Sequence, residues 1–313
     1  MALALVPPLA AEAKSFHGTN RSDKVKGTPG ADKFKGKDGN DQFKGMGGND
    51  TAFGGNGDDV LSGGPGGDKL YGEVGVDVLN GGGGNDFADG GSENDTIVMN
   101  AGNDTVTGGT GIDTISTGTG DDQAHGDADP DVISLNEGND KGWGGDGDDQ
   151  LIGTAGNDVL YGEAGNDYVQ GGDDDDKVYG GDGKDDLDGG KGNDILYSGP
   201  GDDHLSADEG DDIVYVGVGV NDVYGEEGGD TIYVLEDGIR DEIYCGKEIN
   251  GSPGDHIVFV GKPDGQDHIN GCDRRSDVYI DSTSPEYAAL LPNFSAVPPG
   301  AARVPANRWV TGP

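Results

Sequence analysis

Gly144-Gly145-Asp146-Gly147-Asp148-Asp149-Gln150-Leu151-Ile152 is one copy of a nine-residue unit, and Gly189-Gly190-Lys191-Gly192-Asn193-Asp194-Ile195-Leu196-Tyr197 is another. Counted outward from these, the unit runs twenty-four times from Gly18 to Tyr233 without gaining or losing a residue. Its sixth position is Asp in twenty-three copies, with Asn221 the exception. Its fourth is Gly in twenty, the exceptions being Arg21, Glu93, Asp129 and Asp174. A fixed period of this kind specifies a solenoid, in which each unit packs only on its neighbours. With one acid at a constant place per unit, the solenoid carries columns of carboxylates, and such columns need positive charge beside them.

Composition leads to the same need. The formal net charge is −41 on 313 residues, only 31% of residues are apolar, and 64 are glycine. Such a chain cannot offset its conformational entropy by apolar burial alone. A disordered acidic tract has this composition too, but it does not hold Gly and Asp in strict phase. If each site uses acids from repeats two apart, there are roughly 22 sites, and divalent ions there add about +44. Residues 14–44 reverse the sign locally, with eight Lys/Arg against four Asp. That basic start suits an anionic polymer or the acidic body of a neighbouring chain, and serves equally as a solvated face. The charge of the whole disfavours nucleic acid.

Within each unit, positions one to six are turn chemistry. Gly at one, two and four allows positive φ and close approach, and Asn or Asp at five tolerates the left-handed region. Positions seven to nine read as a short strand. Position eight is apolar almost throughout, as in Phe34, Leu61, Ile97, Leu151, Val178 and Ile232, so it faces inward while seven and nine face out. Two units make one turn. The expected fold is all-β: a right-handed parallel β-roll, or β-solenoid, of about 12 two-repeat turns with an irregular C-terminal cap and tail. The small position-eight residues Ala52, Ala88, Ala124 and Gly142 all fall in even repeats. On the outside, position nine of the even repeats gives Phe53 and Tyr71, then Trp143, Tyr161, Tyr179, Tyr197, Tyr215 and Tyr233 at unbroken eighteen-residue steps. One sheet should therefore display an aromatic ladder. Its roles are in-register ring stacking, cover by a C-terminal segment holding Leu290, Leu291, Phe294 and Trp309, or a binding face for glycan, partner or another copy.

The unit resembles the Gly-Gly-x-Gly-x-Asp-x-U-x nonapeptide of the RTX, or haemolysin-type, calcium-binding repeats. The resemblance covers residues 18–233. It implies that calcium sits between loops eighteen residues apart, held by sixth-position carboxylates and by carbonyls of the Gly-rich loops. Carried over by position, the ligands are Asp32, Asp41, Asp50, Asp59, Asp68, Asp77, Asp86, Asp104, Asp113, Asp122, Asp140, Asp149, Asp158, Asp167, Asp185, Asp194, Asp203, Asp212 and Asp230. Sites beside Arg21, Glu93, Asp129, Asp174 and Asn221 depart from the pattern and are expected to be weak or empty. Between about 15 and 22 calcium ions are implied. Calcium takes six to eight oxygens in flexible geometry, magnesium demands a tighter octahedron, and zinc would want His or Cys ligands. Unpaired Asp columns repel, so binding should drive folding.

Residues 1–13 resemble the end of a secretory signal, with Ala11-Glu12-Ala13 as a small-x-small cleavage site. The basic segment that usually precedes such a stretch is missing, which leaves an upstream start open. Residues 14–233 form the roll. After Tyr233 the phase slips, and residues 234–280 read as a repeat-like cap containing Cys245 and Cys272. One disulfide between them is the natural reading in an exported chain, worth about 3–4 kcal/mol, with two free thiols the alternative. Residues 281–313 are a Pro/Ala-rich tail, flexible or lying as a strap over the aromatic face. No stretch is long and apolar enough for a membrane span.

There is no His-Glu-x-x-His or Gly-x-Ser-x-Gly motif. His17, His125, His204, His256 and His268 show no consistent partner and read as surface residues. The expected protein is a secreted, extracellular calcium-binding β-roll without catalytic activity. The alternatives are an adhesin or glycan-binding module using the ladder, and the calcium-binding part of a larger RTX enzyme or toxin.

Overall fold

In the computed structural model, which describes residues 12–246, 254–261, 267–272, 278–280 and 290, the chain winds into two parallel sheets with no α-helical layer. Among the described residues twenty-nine strands, β1 (Ser15–His17) to β29 (Val278–Ile280), alternate between them, the odd ones building a fifteen-stranded sheet and the even ones a fourteen-stranded sheet. Each strand pairs with the strand two further on. Between β16 (Gln150–Ala155) and β18 (Tyr168–Asp173), Gln150 lies opposite Tyr168 and Leu151 opposite Val169. The eighteen-residue turn expected from the repeat is thus the spacing of the sheet. This is the parallel β-solenoid that the periodicity demands.

Most strands are six residues long rather than three, running on through positions one to three of the next unit. Position two within these strands takes a positive φ, as in Gly145 (119°), Thr154 (99°) and Glu163 (77°). Alternation along the longer strand turns positions eight and one both toward the core. Position five, by contrast, is absent from the positive-φ residues. Its Asn and Asp side chains instead form a ladder along the turns: the backbone N–H of Asn166 donates to Asp148 Oδ1 at 2.8 Å and that of Asn157 to Asn139 Oδ1 at 3.1 Å. The left-handed reading of position five was therefore wrong, because its side chain is needed as an acceptor for the level above.

The position-eight residues are buried from Phe34 to Ile232, with Val25 partly buried at the open end. The smallest of the even-repeat residues, Gly142, is compensated from across the core. A Cβ added at Gly142 would lie 3.1 Å from Leu135 Cδ1, so Leu135, a position-one residue of the opposite sheet, fills the space that Gly142 leaves.

Beyond Leu235 the two sheets continue with longer turns. β24 (Asp222–Tyr224) pairs with β26 (Glu242–Tyr244), which pairs with β28 (His268–Asn270), while β25 (Thr231–Leu235) pairs with β27 (His256–Val260) and β27 with β29. Cys245 and Cys272 form a disulfide, Cα to Cα 5.0 Å, that joins the chain just after β26 to the chain just after β28. Residues 1–11 and Leu291, Phe294 and Trp309 lie outside the described residues.

Candidate metal centre

Each sixth-position Asp follows the tight turn and is buried, between 0% and 4% exposed from Asp32 to Asp230. Its two oxygens have different fates. Oδ1 accepts the backbone N–H of the Asp eighteen residues earlier: Asp131 N–H to Asp149 at 2.8 Å, Asp149 N–H to Asp167 at 2.8 Å, Asp158 N–H to Asp176 at 2.7 Å. The same bond runs up both edges of the roll, from Lys14 N–H on Asp32 to Asp241 N–H on Asp267. Oδ2 turns back toward position one of its own unit. A Cβ built on Gly144 would fall 2.3 Å from Asp149 Oδ2 and 2.7 Å from the carbonyl oxygen of Gly162 one level up. The glycine leaves open a cradle into which a carboxylate and a carbonyl both point.

Among the described residues, twenty-one of these Oδ2 atoms, from Asp41 to Asp230, are buried and accept no hydrogen bond. A buried acceptor without a partner costs about 1–3 kcal/mol, and more when it is charged. One such atom would be a local defect, but twenty-one in register imply an absent donor of positive charge.

Asn221 provides the internal control. Its Oδ1 accepts the N–H of Asp203 at 3.0 Å, as its Asp counterparts do for their own neighbours. Its Nδ2, in the place of the orphaned oxygen, donates to Gly217 O at 3.3 Å, Gly219 O at 3.5 Å and Asp241 Oδ1 at 3.1 Å. The space beside Oδ2 is thus walled by loop carbonyls, and a carboxylate there meets only other acceptors. Loops one and two solve the problem differently. Asp23 Oδ2 accepts the Thr19 N–H at 2.6 Å and its hydroxyl at 3.0 Å, and Asp32 is closed off in the same way by the hydroxyl and N–H of Thr28.

Electrostatics follow the geometry. Burial, first, pushes the carboxylates up, opposed by the backbone N–H on Oδ1 and reinforced by neighbouring Asp charges. Asp149 and Asp194 rise to about 6, Asp158 and Asp167 to about 7, and Asp131, Asp176 and Asp212 to about 8. A cation in each cradle removes that penalty. Among the described residues no three His, Cys, Asp or Glu side chains converge. The donors are therefore single carboxylates with backbone carbonyls, an all-oxygen set that fits calcium and offers zinc nothing.

Sequence reasoning set aside the levels of Glu93, Asp129 and Asp174. These residues take φ of 78°, 73° and 82°, the backbone that glycine takes at position four elsewhere. The carboxylates they precede, Asp95, Asp131 and Asp176, hold the same orphaned Oδ2 as the rest. The signal available in advance is the Asp kept at position six of these three units.

The ladder lies on the outer face of the odd-numbered strands. Trp143–Tyr161, Tyr161–Tyr179, Tyr179–Tyr197, Tyr197–Tyr215 and Tyr215–Tyr233 stack with ring centroids 5.6, 4.7, 4.4, 4.7 and 4.9 Å apart. His125 adds a further rung, 4.2 Å from Trp143 and within 3° of parallel. The surface reading of that histidine missed the eighteen-residue step that joins it to the tryptophan. Because each ring covers its neighbour's face, the column turns ring edges outward.

The RTX calcium-binding nonapeptide repeat model matches in ten windows that together span residues 17–141 and 143–232. Comparison with curated proteins gives no match. Among solved structures the chain is similar to a hyperactive, calcium-dependent, β-helical antifreeze protein from an Antarctic bacterium, at 18% identity and a TM-score of 0.32, covering 82% of this chain and 86% of that one. The repeat, running through more than half of this chain with its carboxylate columns in phase, makes the protein a member of the RTX calcium-binding nonapeptide repeat family, and it binds multiple calcium ions.

Proposed function

We propose that this protein is a secreted, non-catalytic β-roll that becomes compact when calcium enters the cradles between Asp41 and Asp230. The observation that carries the reading is the contrast between twenty-one orphaned Oδ2 atoms and the one level, Asn221, where an amide supplies the missing donor. Each ion is held by the Oδ2 of one Asp and by loop carbonyls. The set includes Asp95, Asp131 and Asp176 and leaves out Asp32, whose loop closes on itself. Twenty-one divalent ions bring forty-two positive charges against a formal net charge of −41. Near-complete neutralisation by the ligand makes folding and binding one equilibrium.

Export is supported by the disulfide and by the weak, carbonyl-rich character of the sites, which suits millimolar calcium outside the cell. No helix among the described residues is long and apolar enough to cross a membrane. The aromatic ladder is read as strand-stabilising stacking, since ring faces are spent on one another. Far-UV circular dichroism in calcium, magnesium and chelator, with a count of bound metal, tests the proposal. Strand signal should appear with calcium alone, at about twenty ions per chain. Full strand content in chelator would refute it.

A further inference from the structure

The roll ends in lysine. Lys24 and Lys26 on β2 (Lys24–Lys26) and Lys44 on β4 (Gln42–Lys44) project from the outer face of one sheet. Lys33 and Lys35 on β3 (Lys33–Asp38) project from the outer face of the other. All five are exposed. The described residues contain three ion pairs, Lys191–Asp173, Arg240–Glu242 and His268–Glu242, and none uses a lysine of this end. In a chain with 61 acids, that is segregation of charge. Lys26 and Lys44 stand directly opposite each other in register, a like-charge pair that costs stability unless an anion relieves it. Lys33 and Lys35 hold their ammonium groups 5.5 and 5.7 Å from the Phe53 ring centroid, and Lys35 also acts on the Glu73 carboxylate, so Lys33 is the freer of the two.

We infer that this lysine collar at the N-terminal end of the roll is a binding site for a linear acidic polysaccharide, one carrying sulfate or carboxylate groups along its length. Charge complementarity selects a polyanion. Two opposed basic faces on the first turns suit a flexible polymer that winds around the rod, whereas a flat lipid surface lying along it meets one face. A second copy of the chain offers no matching acidic body once calcium has neutralised it. That last step rests on the calcium reading above. It also makes the site calcium-gated: the unloaded chain, at −41, repels a polyanion that the loaded chain attracts at one end.

The test uses the whole protein in millimolar calcium with fluorescent dextran sulfate, and uncharged dextran as the comparison probe. Binding to dextran sulfate alone is expected, weakening steeply with salt. The variant Lys24→Gln, Lys26→Gln, Lys33→Gln, Lys35→Gln, Lys44→Gln should lose about tenfold or more in affinity and flatten the salt dependence. A second variant, Lys141→Gln with Lys177→Gln, should bind as the parent does. Circular dichroism and the calcium count report folding separately for each. Unchanged affinity in the five-lysine variant overturns the collar, as does tighter binding to anionic phospholipid vesicles, to single-stranded DNA or to other copies of the chain. If dextran sulfate binding persists while calcium leaves the strand signal unaltered, the collar stands and the folding proposal falls.

Discussion

Replacing Asp158, Asp167, Asp176 and Asp185 together with Asn should lower the calcium needed to fold this protein while reducing the number of ions it holds. Asn221 shows what each new side chain can do. Its Oδ1 keeps the backbone N–H of the level below at 3.0 Å, and its Nδ2 reaches two carbonyls of its own loop at 3.3 and 3.5 Å. In the four altered loops the orphaned oxygen becomes a satisfied donor. At about 1–3 kcal/mol for each buried unpaired atom, the metal-free roll gains about 4–12 kcal/mol relative to the parent. The calcium-loaded roll forfeits four ions, each worth about 1.4 kcal/mol at ten times its dissociation constant. The folding midpoint on a calcium titration therefore moves down, and at that calcium level the four lost ions, about 6 kcal/mol together, offset much of the gain.

Two assays read the outcome: circular dichroism against free calcium, and elemental analysis of calcium per chain after dialysis. Four fewer ions with a lower midpoint is the expected pair. A folded variant that keeps the parent's ion count would show that Oδ2 is not a ligand, and a raised midpoint would show that the orphaned oxygens cost nothing. The reverse change, Asn221→Asp, should add one ion and raise the midpoint.

Acid should partly replace calcium. The buried carboxylates sit at about 6–8 in the folded metal-free chain against an ordinary 3.8, so that state holds more protons, is most stable below about pH 4 and loses this support as pH rises through 6–8. Strand signal in chelator should therefore grow on acidification from pH 8, while bound calcium falls; a flat profile from pH 8 to pH 4 would contradict this. Leu135→Ala should cost about 4–5 kcal/mol in calcium-saturated urea melts, the upper end of such changes, because Gly142 opposite has no side chain to fill the gap. Glu93→Gly, at φ 78°, should stabilise by about 1 kcal/mol in the same melts, by relieving a left-handed residue. Reducing Cys245–Cys272 should expose the chain after Tyr244 to protease before the rest of the roll, at a loss of about 3–4 kcal/mol.

From Gly18 to Tyr233 the period alone is enough to place the inward residue of each strand, because in a solenoid each level repeats one local problem and position eight answers it each time. What could not be read in advance depends on the third dimension. Leu135 looks like a mistake at a glycine position until Gly142 is placed across the core from it. Glu93, Asp129 and Asp174 look like broken sites until their backbone is seen to follow the glycine path. His125 looks solitary until eighteen residues become one step, and it stacks on Trp143. Asn at position five was read from its backbone tolerance, whereas its use is the side-chain ladder between turns. In each case a neighbour across the core or one level away decides what the residue does.

That dependence on the next level explains why position six tolerates so little. A carboxylate there supplies Oδ1 to the N–H of the level below and Oδ2 to the cradle, so it closes the backbone ladder and creates the need for an ion at once. An apolar residue would lose both. An amide keeps the ladder and dispenses with the ion, which makes Asn221 a rung that closes without calcium between metal-demanding ones. A column built only of Asn would fold without any ion and answer to none. With the orphaned oxygen at twenty-one of twenty-four rungs, the proposal that each takes an ion implies that the cooperativity of a one-dimensional stack gathers them into one transition.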